Sequence, residues 1–320
     1  MSIQKYADIL QDKLKVDSAL AEKIITKSIE GGEVKDDLSN IDEWLNERLL
    51  PNCVHIDETG YSTMCINALK IVSKTAATDY GSSRQRDFGQ MWADITRGYL
   101  GEYAFKLFLK QRFNIDAELG HDLGKLEDYL PMDLHKITKP GDKPRPPKIK
   151  VGIKAGKWNG IWLDIPGDQF NHSDIHAFVK IGAGRDHLFA FFKQLSVFKD
   201  KVLKRGEEIG CLSKEESAAL FKDIPGFSPV TAYICGFARK DDNYKGFSYS
   251  GKKGRKNYTI RSWKGEIRPG DLDSIKEAEE VSGKVSFLGI GEFSHDSGYL
   301  FNAGNLFWKE KDWKKVCDAL

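Results

Sequence analysis

The chain has 320 residues, 40% hydrophobic and 30% charged, with a net charge of +2. That length allows one large domain or a core with added lobes, and the composition is that of a globular chain, not a disordered one. The near-neutral balance excludes a general attraction to nucleic acid, so a phosphate-bearing partner must be met by a local basic face.

Five cysteines, Cys53, Cys65, Cys211, Cys235 and Cys317, are scattered with no CxxC pair. That pattern argues against a zinc site or a disulfide framework and for a reducing compartment. The sequence has no apolar leader core and no uninterrupted apolar run of membrane-spanning length, so the expected location is the cytoplasm.

The first third reads as helical. YADILQDKLKVDSALAEKIITKSIEGG (6–32) spaces its apolar residues for a helix and ends on a glycine pair suited to a cap. NIDEWLNERLL follows, closed by Pro51, and YSTMCINALKIVSKTAA (61–77) is again helical. DFGQMWADITRGYLGEYAFKLFLKQRF (87–113) predicts one long helix or two, with Gly98 and Gly101 as weak points.

The character changes after Phe113. Short apolar pieces mix with acids up to Leu134, and the Pro-rich KPGDKPRPP (139–147) leads into strand-like segments. IKVGIKAG, GIWLDIP, IHAFVKIG and HLFAFF predict strands between Ile149 and Phe192. Helical spacing returns at KQLSVFKDKVLKRG; later, VTAYICGFARKD, NYTIRSW and KVSFLGIGEF predict strands, and LFWKEKDWKKVCDAL predicts a closing helix. This order predicts an α/β protein: a helical N-terminal lobe (1–95), a core (96–210) and a mixed C-terminal lobe (211–320) that could carry a recognition surface.

Lysines in a core strand require a reason. Lys150, Lys154 and Lys157 lie in or beside IKVGIKAG, and an unpaired lysine near a core must lose solvation or lower its pKa. Upstream, Asp133 follows a Pro-Met pair among apolar residues. An acid ending one strand, about twenty residues before a lysine on the next, is the layout of a metal-dependent phosphodiesterase site. The acid binds a hard cation, and the lysine stabilises the pentavalent phosphate or orients the attacking water.

PMD (131–133) and GIK (152–154) resemble the paired elements of the PD-(D/E)XK nuclease superfamily, and within it the type II restriction endonucleases. GYLGEYAFKLFL resembles the first core helix of that family, which presents a glutamate to the metal, here Glu102. The resemblance spans roughly Gly98 to Leu203. It implies a restriction-endonuclease-like core, a mixed central sheet of about five strands flanked by helices, with Asp133 and Lys154 on adjacent strands. The implied activity is Mg²⁺-dependent, site-specific cleavage of double-stranded DNA by a two-fold homodimer, with a cognate DNA methyltransferase encoded nearby. One departure is plain: Gly152 stands where the family has an acid. Glu102 is the first candidate to replace that carboxylate and Asp164, on the following strand, the second. Two other acid-x-lysine triplets, Glu33-Val-Lys35 in a Gly-flanked polar loop and Asp312-Trp-Lys314 in the terminal helix, read as chance.

His172, Asp174 and His176 in HSDIH read as a turn and a buried strand more readily than as a metal site, because strand residues four apart are about 13 Å from each other. The densest basic stretch, YSGKKGRKNYTIRSWKGEIRPG, offers Lys252, Lys253, Arg255, Lys256 and Arg261 for DNA phosphates and base edges. Arg84 and Arg86 in GSSRQRDFGQ form a second such candidate. Adjacent Ser294, His295 and Asp296 cannot arrange themselves as a hydrolase triad. Two alternatives stand beside the endonuclease: a DNA-binding protein with a degenerate, inactive nuclease core, which Gly152 favours, and a small-molecule phosphohydrolase or transferase, for which the sequence lacks any Gly-rich phosphate loop.

Overall fold

The computed structural model describes residues 3–75, 87–120, 133–241, 247–250 and 297–320. Helices α1 (Ile3–Leu14), α2 (Ser18–Glu30) and α3 (Ile41–Glu43) open the chain, and α3 runs on into a π-turn (Trp44–Leu49). Strand β1 (Cys53–Ile56) precedes α4 (Glu58–Thr75) and the long α5 (Phe88–Phe113). Next come β2 (Asp116–Leu119), β3 (Leu134–Thr138), β4 (Val151–Lys157), β5 (Trp162–Pro166), the single turn α6 (Gly167–Phe170) and β6 (Ile175–Ile181). Helices α7 (Arg185–Gln194), α8 (Lys204–Glu208) and α9 (Lys214–Asp223) lead to β7 (Val230–Arg239), β8 (Phe247–Ser250), β9 (Ser297–Asn302) and α10 (Glu310–Ala319).

The fold is α/β around a mixed sheet that has four described strands in the order β1-β7-β6-β4. Contrary to expectation, Asp133 is not on a strand beside that of Lys154, since it precedes β3, which pairs with β2 in a separate sheet. β4 and β6 run parallel, whereas β6–β7 and β7–β1 are antiparallel. Each of the three sequence segments contributes at least one strand. Alternate residues along a strand face opposite sides, and here each side has its own core. Val54, Val151, Ile153, Ala177, Val179, Ala232 and Ile234 pack against α4, α5 and α10. Phe178, Tyr233 and Cys235 face the other way, onto α1, α2 and β5. All seven residues of β6 are buried, as expected of a central strand covered on both faces.

HLFAFF departs from expectation: it belongs to helix α7, not to a strand. Leu188, Phe191 and Phe192 meet the core, while Phe189 is exposed; inward residues at i, i+3 and i+4 are the helical period. A short aromatic run carries too few residues to separate the two periods. α5 stays continuous through both glycines, started by Asp87, which accepts from the Gln90 N–H at 2.7 Å, and ended by Asn114 in the left-handed region. Gly101 is where α5 lies closest to the sheet: a Cβ there would sit 2.6 Å from the Ala155 Cβ.

Candidate functional site around Lys154

Four elements converge on Lys154. It lies on β4, the strand at one edge of the central sheet, on the same face as Gly152 and Gly156. Just before β3, the Asp133 N–H donates to the Val151 carbonyl at 3.3 Å, and the Asp133 Oδ2 accepts from the N–H of Ile153. Asp133 is thus latched to β4 one residue before the lysine. Gly101 packs against Ala155, the next residue of β4 and on its other face, and Glu102 of α5 comes within electrostatic reach of Lys154. Asp164 arrives on β5, the strand after the turn.

Burial pushes the Lys154 ammonium below its ordinary pKa, and Asp133, Glu102 and Asp164 act against that shift. These three carboxylates, each named in the sequence reading, all act electrostatically on the one lysine. Lys154 Nζ also donates to Gln169 Oε1 on α6, a partner that no motif announced.

The gap at position 152 has a steric cause. A Cβ on Gly152 would stand 2.9 Å from both His176 Nδ1 and Ser173 Oγ. Gly152 and His176 are paired in register on the parallel strands, so the histidine fills the space that a side chain at 152 would need. His176 is 1% exposed; its Nε2 lies 3.2 Å from the Phe170 carbonyl, and its Nδ1 is buried without a hydrogen-bond partner among the described residues. A carbonyl only accepts, so Nε2 carries the proton and Nδ1 the lone pair. Burial pushes the ring's pKa down to about 4, and the nearby Lys154 ammonium adds to the effect.

HSDIH reads as expected. His172 is exposed and His176 buried, so the two do not share a ligand, and Asp174 Oδ2 accepts from the Lys150 N–H at 2.7 Å. Arg84, Arg86, Lys252, Lys253, Arg255, Lys256 and Arg261 lie outside the described residues.

Glu33 is the surprise. The triplet read as a polar loop carries a fully buried carboxylate, which accepts from Lys180 Nζ on β6 and from Tyr233 Oη at 2.8 Å. Arg48 Nε stands 3.8 Å from it, and Arg48 Nη2 donates to the carbonyls of Cys235 (3.1 Å) and Ala303 (2.6 Å). Burial pushes the Glu33 carboxyl up, but Lys180, Arg48 and Tyr233 together outweigh it and hold it below the usual range. This cluster ties the N-terminal helices to the sheet.

The donor set around Lys154 is all oxygen, which suits a hard divalent cation. As the side chains stand, among the described residues no three His, Cys, Asp or Glu residues form a group that could hold a metal ion. No described helix is long and apolar enough to cross a membrane. Compared with known proteins, the chain matches no family model, no curated protein and no solved structure.

Proposed function

We propose that the protein is a Mg²⁺-dependent nuclease with a restriction-endonuclease-like core, hydrolysing phosphodiester bonds of double-stranded DNA at a specific short site. The observation that carries this reading is that Asp133, Glu102 and Asp164 all act electrostatically on one half-buried lysine. A lysine so placed is suited to an anionic ligand, and carboxylates beside it are suited to a cation that accompanies that ligand.

In this reading Lys154 contacts the scissile phosphate and stabilises the charge that grows on its oxygens. Gln169 accepts from the ammonium in the unbound protein, and a phosphate oxygen competes for the same N–H group. Asp133, Glu102 and Asp164 are the residues that would hold Mg²⁺, which supplies a polarised water and charge neutralisation at the phosphorus. Glu102 or Asp164 takes the role that Gly152 cannot. Arg84 and Arg86, with Lys252, Lys253, Arg255, Lys256 and Arg261, supply phosphate and base contacts. Cutting both strands of a palindrome calls for a two-fold homodimer, and a site-specific nuclease calls for a methyltransferase that protects the host's own sites.

A second reading has its own support. His176 and Ser173 close the position beside Lys154 where a motif acid would project, which favours a DNA-binding protein with an inactive core. Incubation of the purified protein with plasmid DNA and Mg²⁺ separates the two. Discrete fragments support the nuclease, shifted but uncut DNA supports the binding protein, and unshifted, uncut DNA refutes both. Asp133→Ala and Lys154→Ala should abolish cleavage with folding intact; normal cutting by both variants would remove this site from the mechanism. Whichever of Glu102→Ala and Asp164→Ala inactivates identifies the replacement carboxylate.

A further inference from the structure

We propose that His176 is a positioning residue of the Lys154 site: it anchors α6, and α6 presents Gln169 to the lysine. The inference rests on the reading of Lys154 as the cation of the site and names what holds it in place.

α6 cannot place itself. It is one turn of four residues, and a single turn carries too few hydrogen bonds to be stable alone. Its position is set by what packs against Phe170, its last residue. That side chain is 2% exposed and lies between two rings, stacked on Tyr299 at 3.7 Å and on His176 at 5.4 Å with 12° between the His176 and Phe170 planes. The His176 Nε2–H then donates to the carbonyl of the same residue at 3.2 Å. The histidine holds both the ring and the backbone of Phe170. Gln169 is the preceding residue, and its Oε1 accepts from Lys154 Nζ. The chain of contacts runs from β6 through α6 back to β4, the strand beside β6.

Gly152 belongs to the same unit. Only a residue without a Cβ leaves room for the imidazole, since Nδ1 and Ser173 Oγ would each be 2.9 Å from that Cβ. The chain holds its lysine from the neighbouring strand with a neutral ring. A carboxylate at 152 and His176 in its present place exclude each other.

The test is lysine acetylation of the full chain, mapped by mass spectrometry, with neither DNA nor metal added. A failure to cut DNA would bear on the nuclease reading and leave this measurement untouched. His176→Asn keeps an amide near Nδ1 but does not reach the Phe170 carbonyl. It should raise the Lys154 labelling rate roughly threefold to tenfold, the change that one lost hydrogen bond makes in an equilibrium. His176→Gln places an amide N–H near Nε2 and should label within about twofold of the wild type by the same measure. Gln169→Ala, at an exposed position, releases the lysine directly and should label as fast as the Asn variant. Buried Lys180 is the internal control and should not change. If the Asn variant does not fold, Phe170→Leu removes the ring stacked on His176 and should raise Lys154 labelling alone. Unchanged Lys154 labelling in the Asn or Gln169→Ala variant overturns the proposal. So does a Gln variant as fast as the Asn variant, or a parallel rise at Lys180, which would mean general loosening.

Discussion

Replacing Glu33 by Ala should be the most damaging single change to a charged residue in the described part of this protein. The carboxylate is fully buried and its Lys180 partner has a side-chain exposure of 2%, so no water replaces what is lost. Removing one member of a buried ion pair typically costs about 3–5 kcal/mol, because the remaining charge is left without compensation. Here two cations, Lys180 and Arg48, lose the same anion, and the Tyr233 hydroxyl loses its acceptor. These losses share one carboxylate and are not summed. A domain's whole stability is about 5–15 kcal/mol, so the variant should lose about a fifth of it or more. By contrast, Lys110 and Asp116 are paired at 2.7 Å with side chains 48% and 59% exposed, and Lys110→Ala should cost under about 1 kcal/mol.

Urea titrations followed by tryptophan fluorescence compare the two variants directly, with the slope checking that the unfolded state is unchanged. The pH dependence adds an independent sign. The folded carboxyl lies below its ordinary 4.5, so its contribution is complete above about that pH and is lost as the pH falls through the depressed value. The acid arm of the stability curve should be shallower in Glu33→Gln than in the wild type. A joint replacement, Glu33→Leu with Lys180→Met, removes the Lys180 pair and leaves Arg48 on its two carbonyl acceptors, so it should cost less than Glu33→Ala alone. If Glu33→Ala costs no more than Lys110→Ala, or if the acid arm is unchanged in Glu33→Gln, the carboxylate is not the buried ionic centre described here.

Gly152→Ala should destabilise by about 1–3 kcal/mol, the range for overpacking a filled core, and Gly152→Ala combined with His176→Ala should recover part of that loss in the same urea titration. Gly101→Ala drives a Cβ to 2.6 Å from that of Ala155; it should lift α5 from β4 and lower stability in the same titration, and under the proposed nuclease reading lower cleavage with Glu102 unaltered, while Ala155→Gly in the same chain should restore what was lost. His176 should make the wild type sensitive to mild acid. Its folded pKa is depressed from 6.5 to about 4, so its contribution is whole above 6.5 and is lost as the pH falls from 6.5 towards 4. His176→Gln should flatten that interval of the stability curve, and an unchanged curve would mean the ring is not buried in the neutral form.

Local pattern was enough for part of this protein. The short apolar, β-branched and aromatic runs IKVGIKAG, GIWLDIP, IHAFVKIG and VTAYICGFARKD give strands β4, β5, β6 and β7, and the spacing in residues 87–113 gives α5. Lys154 was visible as a cation in a core strand, because strand patterns depend only on neighbours in the chain; Asp133 stood out as an acid among apolar residues, and Glu102 and Asp164 were singled out by the resemblance to a nuclease core. What the sequence left open depends on partners far away. Glu33 follows two glycines and looks like loop surface until Lys180 and Tyr233, 147 and 200 residues on, close over it. Burying a charge is decided by its compensation, and compensation carries no local period. Gly152 is the same case in steric form. The sequence shows an acid missing, and only the pairing of β4 with β6 shows that His176 and Ser173 occupy the volume where its side chain would stand.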